Sequence, residues 1–276
     1  MKPHLLLFAL PALLLAADRP KTVLYGAAYY HEYQPYDRLD KDIALMKQAG
    51  ITVVRVGEST WTSWEPRDGD IQYAWMDRIV DAMHAAGIKV IMGTPTYSIP
   101  PWMYKKHPEM LVFHYGVAPP MSNPWYGTYP DHVAGGAYGP RQNMDLTNPD
   151  YRRYSERVIR KIAERYAKHP AVIGWQIDNE TAPNGLPLPN VQKAFLERVK
   201  EKFGTTRRMN DAWGLVYWGQ LVDSWDDFPA RDGILNPGYK LEWERFQQSI
   251  VTEFLGWQAR IVREYARPDQ FVTQDF

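Results

Sequence analysis

Residues 171–180 read A-V-I-G-W-Q-I-D-N-E. An apolar run from Ala171 to Trp175, with Ile177 beyond it, stops abruptly at Asp178, Asn179 and Glu180. A run this short and this apolar suits a strand covered on both faces, as in a parallel sheet. Three polar residues at the C-terminal tip of such a strand stand where barrel and open α/β folds carry their chemistry.

Upstream, Asn148-Pro149-Asp150 predicts a helix start, with an Asn cap and Pro at the first helical position. Tyr151, Tyr154, Val158, Ile162 and Tyr166 line one face of that helix down to His169-Pro170. Further back, two segments carry nearly the same signature: L-M-K-Q-A-G-I-T-V-V from Leu45 and A-M-H-A-A-G-I-K-V-I from Ala82. Each reads as a helix closed by Gly (Gly50, Gly87) and followed by a β-branched strand, 51–56 and 88–93. Repeated β-α units imply parallel strands joined by crossovers. Thr22 to Tyr30 predicts a first strand ending in the cluster Tyr29, Tyr30, His31, Glu32. Residues 94–148 form a long Pro-, Gly- and Tyr-rich connection, of a length that usually signals function. Beyond Glu180 the sequence predicts a helix over 191–203, a Trp- and Asp-rich stretch of weak periodicity over 205–237, a long helix over 239–265 and a fifth strand over 270–276. Five β-α units do not close an eight-stranded barrel, so the expectation is a partial barrel: a fragment, or part of a split or truncated gene product.

The 276 residues are enough for one large domain. Lys+Arg and Asp+Glu both total 32, so there is no overall basic footprint for nucleic acid. Cysteine is absent, which excludes disulfides and thiolate metal sites. His31, His114 and His132 show no metal-ligand spacing, and neither a metal nor a cofactor is expected. Lys2 and His4 lead an apolar run from Leu5 to Ala17, broken by Pro11 and followed by Asp18-Arg19-Pro20. This pattern reads as a secretory signal over 1–17, with a secreted or periplasmic catalytic domain over 18–276; the run is too short for a comfortable membrane span. The 11 Trp and 18 Tyr supply flat amphipathic surface as well as core.

Glycosidic bonds are cleaved by paired carboxyl groups, one of which holds a proton near neutrality through a partly apolar surround. Glu180 fits that acid, at the rim of an apolar strand among aromatic loops; Asn179 beside it could hydrogen-bond a sugar hydroxyl. With 46–61 (M-K-Q-A-G-I-T-V-V-R-V-G-E-S-T-W), 86–96 (A-G-I-K-V-I-M-G-T-P-T), 163–180 ending in W-Q-I-D-N-E and 241–247 (L-E-W-E-R-F-Q), the chain resembles glycoside hydrolase family 42, the retaining β-galactosidases. Pro100-Pro101-Trp102 and His107-Pro108-Glu109 fit as well. The resemblance implies a TIM-type (β/α)8 barrel of which about the first five units are present. It implies Glu180 as general acid/base, Asn179 as its substrate-binding neighbour and Arg141, in G-P-R-Q-N, as a sugar-subsite contact. It implies a nucleophilic Glu on a seventh strand beyond the end of this chain, a galactoside oligosaccharide or polysaccharide as substrate, and a homotrimer for the whole protein. The sequence departs from the family in lacking the zinc-binding cysteines that members often carry after N-E. It departs again in reading A-A-Y-Y-H-E at the first strand, where many members have Asp-Tyr-x-Pro-Glu.

Each residue has a plainer reading beside the functional one. Glu180 could form a strand-end salt bridge, Asn179 could cap a loop, and Arg141 could make a loop salt bridge. Asp178 reads as a structural hydrogen-bonding group. Arg55 and Glu58, at one strand's end, read as an ion pair supporting the site. Trp61, Trp102, Trp125 and Trp218 are stacking candidates, although most Trp in so aromatic a chain pack in cores. At the level of function, an inert carbohydrate-binding fragment is one alternative. Another is a β/α-barrel glycosidase for β-glucosides, arabinosides or plant polysaccharide, which fold alone does not separate.

Overall fold

The computed structural model describes residues 23–34, 37–112, 143–183, 185–231 and 236–275. Within them five strands form one parallel sheet in chain order. They are β1 (Gly26–Ala28), β2 (Val53–Val56), β3 (Lys89–Gly93), β4 (Val172–Gln176) and β5 (Phe271–Thr273). Helices α1 (Leu39–Gln48), α3 (Ala74–Ala85) and α5 (Pro149–Tyr166) alternate with them. Short α2 (Trp61–Trp64) and α4 (Pro101–Lys106) lie in the connections after β2 and β3. Three helices, α6 (Pro189–Phe203), α7 (Thr206–Trp213) and α8 (Pro237–Arg263), fill the connection from β4 to β5. Sequential parallel order with helical crossovers is the arrangement of a TIM-type barrel over its first five units.

The repeated sequence signature has a structural cause. After α1, Gly50 donates to the Lys47 carbonyl at 3.1 Å and Ile51 to Met46 at 2.9 Å. After α3, Gly87 donates to His84 at 3.0 Å and Ile88 to Met83 at 2.9 Å. Both are Schellman caps, and Gly50 (φ +76°) and Gly87 (φ +75°) hold the left-handed position that such caps require. The isoleucine that follows leads each chain directly into a strand. At α5 the Asn148 side chain accepts from the Asp150 and Tyr151 backbone N–H groups, both at 3.0 Å, as the sequence predicts. The helix α7 falls in the stretch of weak periodicity; the Thr205 hydroxyl caps its start and left-handed Gly214 its end.

The core runs between sheet and helices. Val54, Val56, Val90, Met92, Val172 and Trp175 from the strands pack with Ile79, Val80, Val158 and Ile162 from the helices. The helix α8 packs on α5, with the Phe254 and Tyr151 rings stacked 5.7 Å apart. Buried Gln270 fixes the start of β5: its amide donates to the Ala167 and Val172 carbonyls, both at 2.8 Å, and it accepts from the Trp175 indole at 3.1 Å. Among the described residues, β1 pairs only with β2 and β5 only with β4, so each presents one free edge. The β1 residues are exposed. No helix among the described residues is long and apolar enough to cross a membrane.

At the top of β3, a Cβ added to Gly93 would lie 2.8 Å from the Glu58 nitrogen and 2.9 Å from its Cβ. This close approach seats the end of β2 against β3. Gly93→Ala is therefore expected to destabilise the protein by about 1–3 kcal/mol through overpacking against backbone. Urea unfolding at constant m-value measures it; an unchanged midpoint would contradict the close seating of the two strand ends.

Candidate active site

The C-terminal ends of the five strands bring together residues far apart in the chain. Arg55, in β2, stands at their centre. Its Nη1 donates to Gln176 Oε1 and to Asp275 Oδ2, both at 2.8 Å, and to Asn179 Oδ1 at 3.4 Å. Its Nη2 donates to the Tyr30 hydroxyl oxygen at 2.7 Å and lies 3.3 Å from Glu58 Oε2. One guanidinium thus ties groups from the ends of β1, β2, β4 and β5, using the planar fork that an ammonium lacks. Burial alone pulls its proton affinity down, but the charge of Glu58, with Tyr30 and Asp275, outweighs that and leaves it raised. Glu58 is buried and ion-paired to Arg55, with the Ser59 hydroxyl 3.4 Å from its Oε1.

The backbone turns sharply at two of these ends. Ser59 (φ +56°) follows Glu58, and Asp178 (φ +50°) and Glu180 (φ +44°) flank Asn179. Left-handed non-glycine residues cost roughly 1–3 kcal/mol each when the surroundings impose them, and they cluster at functional sites. The double turn sends neighbouring side chains in opposite directions. Asp178 and Asn179 are buried, whereas Glu180 is exposed. Glu180 donates its backbone N–H to the Asp275 carbonyl at 3.0 Å, and its Oε2 accepts from the Tyr97 hydroxyl at 2.9 Å. Asn179 Oδ1 accepts from the Gln176 amide at 3.1 Å as well as from Arg55.

The expectation that an apolar surround desolvates the Glu180 carboxyl is therefore not met. The buried acid is its neighbour two residues earlier: burial pushes Asp178 up to about 6, against an ordinary 3.8, with Thr181 and Thr96 pulling the other way and Glu58 adding to the rise. Because Asp178 keeps its proton to a higher pH folded than unfolded, its contribution to stability is greatest below pH 3.8 and falls as pH rises through about 6. A cavity of about 10 Å³ beside it, lined by Tyr97, Tyr151 and Thr181 among others, has room for a single water at most.

Arg141, Trp125, His114 and His132 lie outside the described residues. Trp61 is fully buried and donates to Glu65 Oε2 at 3.1 Å; Trp102 donates to the Glu65 carbonyl at 2.8 Å. Both are packing residues rather than open platforms, whereas Trp218 is 80% exposed. Among the described residues, His107, Glu109 and Asp150 have ligand-type atoms within 4.8 Å of one another. They are engaged with neighbours: His107 with Glu109 (3.1 Å) and the Tyr154 hydroxyl (3.1 Å), Asp150 with Arg153 (2.9 Å). Three groups at the strand ends escaped the sequence reading: Tyr97, Gln176 and Asp275. Each follows or ends a strand, and that position is the signal that could have found them.

A family model described as "Beta-galactosidase", that of glycoside hydrolase family 42, matches residues 28–276. The chain belongs to this family. The β-galactosidase BgaA of a Thermus species is 31% identical over 259 residues, spanning 92% of this chain and 38% of the relative. Among solved structures, the β-galactosidase of the psychrophilic Marinomonas ef1 superposes with a TM-score of 0.78 at 33% identity, covering 92% of this chain and 37% of that one. The cold-adapted β-galactosidase of Rahnella sp. R3 gives 0.80 at 29%, covering 94% and 36%. This chain thus spans little more than a third of the length of these family members, and the shared third is the one that holds Arg55 and the β4 tip.

The Arg55 network makes a stability prediction. Arg55→Met leaves buried Glu58 uncompensated and is expected to cost about 3–5 kcal/mol. Arg55→Met/Glu58→Leu should recover part of that loss in urea unfolding. Additive losses in the double variant would show that the two groups are not coupled.

Proposed function

We propose that the chain supplies the acid/base side of a retaining glycoside hydrolase acting on terminal β-D-galactosides in oligosaccharides or polysaccharide. The observation that carries this reading is the position of Asn179 and Glu180 at the end of β4, in a chain whose family relatives are β-galactosidases. In this reading Glu180 protonates the departing glycosidic oxygen while a second carboxylate attacks the anomeric carbon. Glu180 then takes a proton from the water that releases the sugar. The second carboxylate is the family's glutamate on a seventh strand, about 5–5.5 Å from the first in a retaining site.

The surroundings of Glu180 orient its carboxyl and leave it within reach of a sugar. The Tyr97 hydroxyl donates to the Glu180 carboxylate at 2.9 Å and fixes its direction. The carboxyl is open to solvent, so a bound sugar reaches it directly and displaces the water around it. Asn179, fixed by Arg55 and Gln176, is set to bond the sugar hydroxyl next to the reacting carbon.

Expressed from its whole gene, the protein is expected to release β-galactose first from nitrophenyl β-D-galactoside, read by proton NMR. Preference for glucosides would overturn the galactoside assignment. Glu180→Gln should slow methyl β-D-galactoside about 10²–10⁴-fold and the nitrophenyl substrate much less. Equal loss on both would overturn the acid role.

Export belongs to the same proposal, since polymeric substrates lie outside the cell and residues 1–17 have the make-up of a cleaved leader. The exported protein should begin near Asp18 on N-terminal sequencing. A cytoplasmic product that retains Met1–Ala17 would refute this.

A further inference from the structure

We propose that Asp178 is a positioning residue for Glu180: its ionised carboxylate closes a ring of hydrogen bonds that holds the left-handed turn on which Glu180 stands. The inference rests on the acid/base reading of Glu180 and extends it to a residue that does not touch the sugar.

The ring can be followed donor by donor. The Asp178 backbone N–H donates to Thr94 Oγ1 at 2.7 Å, and the Thr94 hydroxyl to Gln258 Oε1 at 2.8 Å. The Gln258 amide donates to Thr96 Oγ1 at 3.0 Å, and the Thr96 hydroxyl to Asp178 Oδ1 at 2.6 Å. The Thr96 hydroxyl also lies 3.3 Å from Gln258 Oε1, but its bond to Asp178 is much the shorter; each hydroxyl has one proton, and with that bond made all run in the same sense and the circuit ends on an accepting carboxylate oxygen. The other carboxylate oxygen, Oδ2, accepts from the Thr181 hydroxyl at 2.5 Å. With both oxygens accepting, a proton on Asp178 has no acceptor unless one of these bonds breaks or reverses. Thr94, Thr96, Asp178 and Gln258 are buried, Thr96 and Gln258 fully so, and Thr181 is half-buried; water is therefore a poor substitute for a partner lost from the circuit.

The ring grips the turn from three elements. Thr94 and Thr96 come from the segment after β3, Gln258 from α8, and Asp178 and Thr181 from the turn itself. Tyr97, next to Thr96, bonds the Glu180 carboxylate at 2.9 Å, so adjacent residues of one segment hold Asp178 and Glu180. Tyr151 of α5 anchors that segment by donating to the Thr96 carbonyl at 2.8 Å. The titratable and charged groups around Asp178 are Glu58 from the end of β2, paired with Arg55; Tyr151 of α5, with Arg152 beside it; and Glu180 with Tyr97. The helix α8 presents a neutral amide.

A group serving only to fill this space would be better neutral. The carboxylate is instead kept where burial disfavours its charge, and its protonation near pH 6 would loosen the circuit. Loss of that grip lets the Glu180 carboxyl wander from the glycosidic oxygen, which slows proton transfer without weakening sugar binding.

The test uses the protein expressed from its whole gene. Asp178→Ala should lower kcat on methyl β-D-galactoside roughly 10- to 100-fold, by analogy with other misplaced catalytic groups, with KM changed less than about threefold. Asp178→Asn, which keeps an acceptor for Thr96 and tolerates the left-handed backbone, should restore part of that kcat and move the acid limb of kcat/KM to lower pH. Thr96→Val removes a donor to the carboxylate and should move the same limb to higher pH. This variant keeps the proposal testable if Asp178→Ala fails to fold. An acid limb unmoved in both Asp178→Asn and Thr96→Val, or Asp178→Ala with wild-type kcat, would overturn it. The leaving-group signature of Glu180→Gln is independent of these readouts. If that signature holds while the limb stays fixed, only the role of Asp178 fails; if the signature is absent, the acid/base reading fails first.

Discussion

A single half-buried cation organises the strand ends. The Arg55 side chain is only 18% exposed, and a guanidinium so far withdrawn from water is stabilised by acceptors for its Nη donors and a counter-charge for its charge, although its Nε has no partner among the described residues. Glu58 supplies the charge; Tyr30, Gln176, Asn179 and Asp275 supply acceptors. Because these groups come from four different strands, satisfying Arg55 fixes the relative heights of those strands. Asn179 is fixed by the same requirement. The sheet register and the geometry of the β4 tip are two results of one electrostatic demand.

Around that centre the site divides two acidic residues between two environments. Asp178 faces inward among hydroxyl groups and an amide, and Glu180 faces outward against a tyrosine. The division is made by the backbone, through positive φ at both residues, and not by side-chain chemistry. Carboxyl groups two residues apart thus stand in different surroundings by direction alone, and burial raises the proton affinity of the inward one. The inward one is part of the frame; the outward one stands at the surface, held by Tyr97.

Much of the fold was legible because its signals are local. The two Ala-Gly-Ile junctions spell out Schellman caps within six residues each, and Asn148-Pro149 spells out a helix start. Apolar strands ending in polar tips gave the parallel sheet and led to the residues at 178–180 and 55–58. The direction of Glu180 was not legible, since no period of 2 or 3.6 survives a pair of left-handed residues. Nor were Tyr97 and Asp275, whose partners lie 83 and 220 positions away and whose type is common in loops. The helix α7 went unseen because its ends are set by one Thr cap and one left-handed Gly, with Met209 alone fully buried.

The free margins of β1 and β5 carry a consequence of their own. Among the described residues each leaves a row of main-chain donors and acceptors without a strand to meet them, and near β1 the side chains of Val23 and Tyr25 are largely exposed. Such rows are templates for pairing with any other extended peptide. Handled by itself at high concentration, a polypeptide with these two margins invites stacking of one copy on the next. Its solubility is then governed by whatever neighbouring structure shields those margins more than by its evenly balanced surface charge.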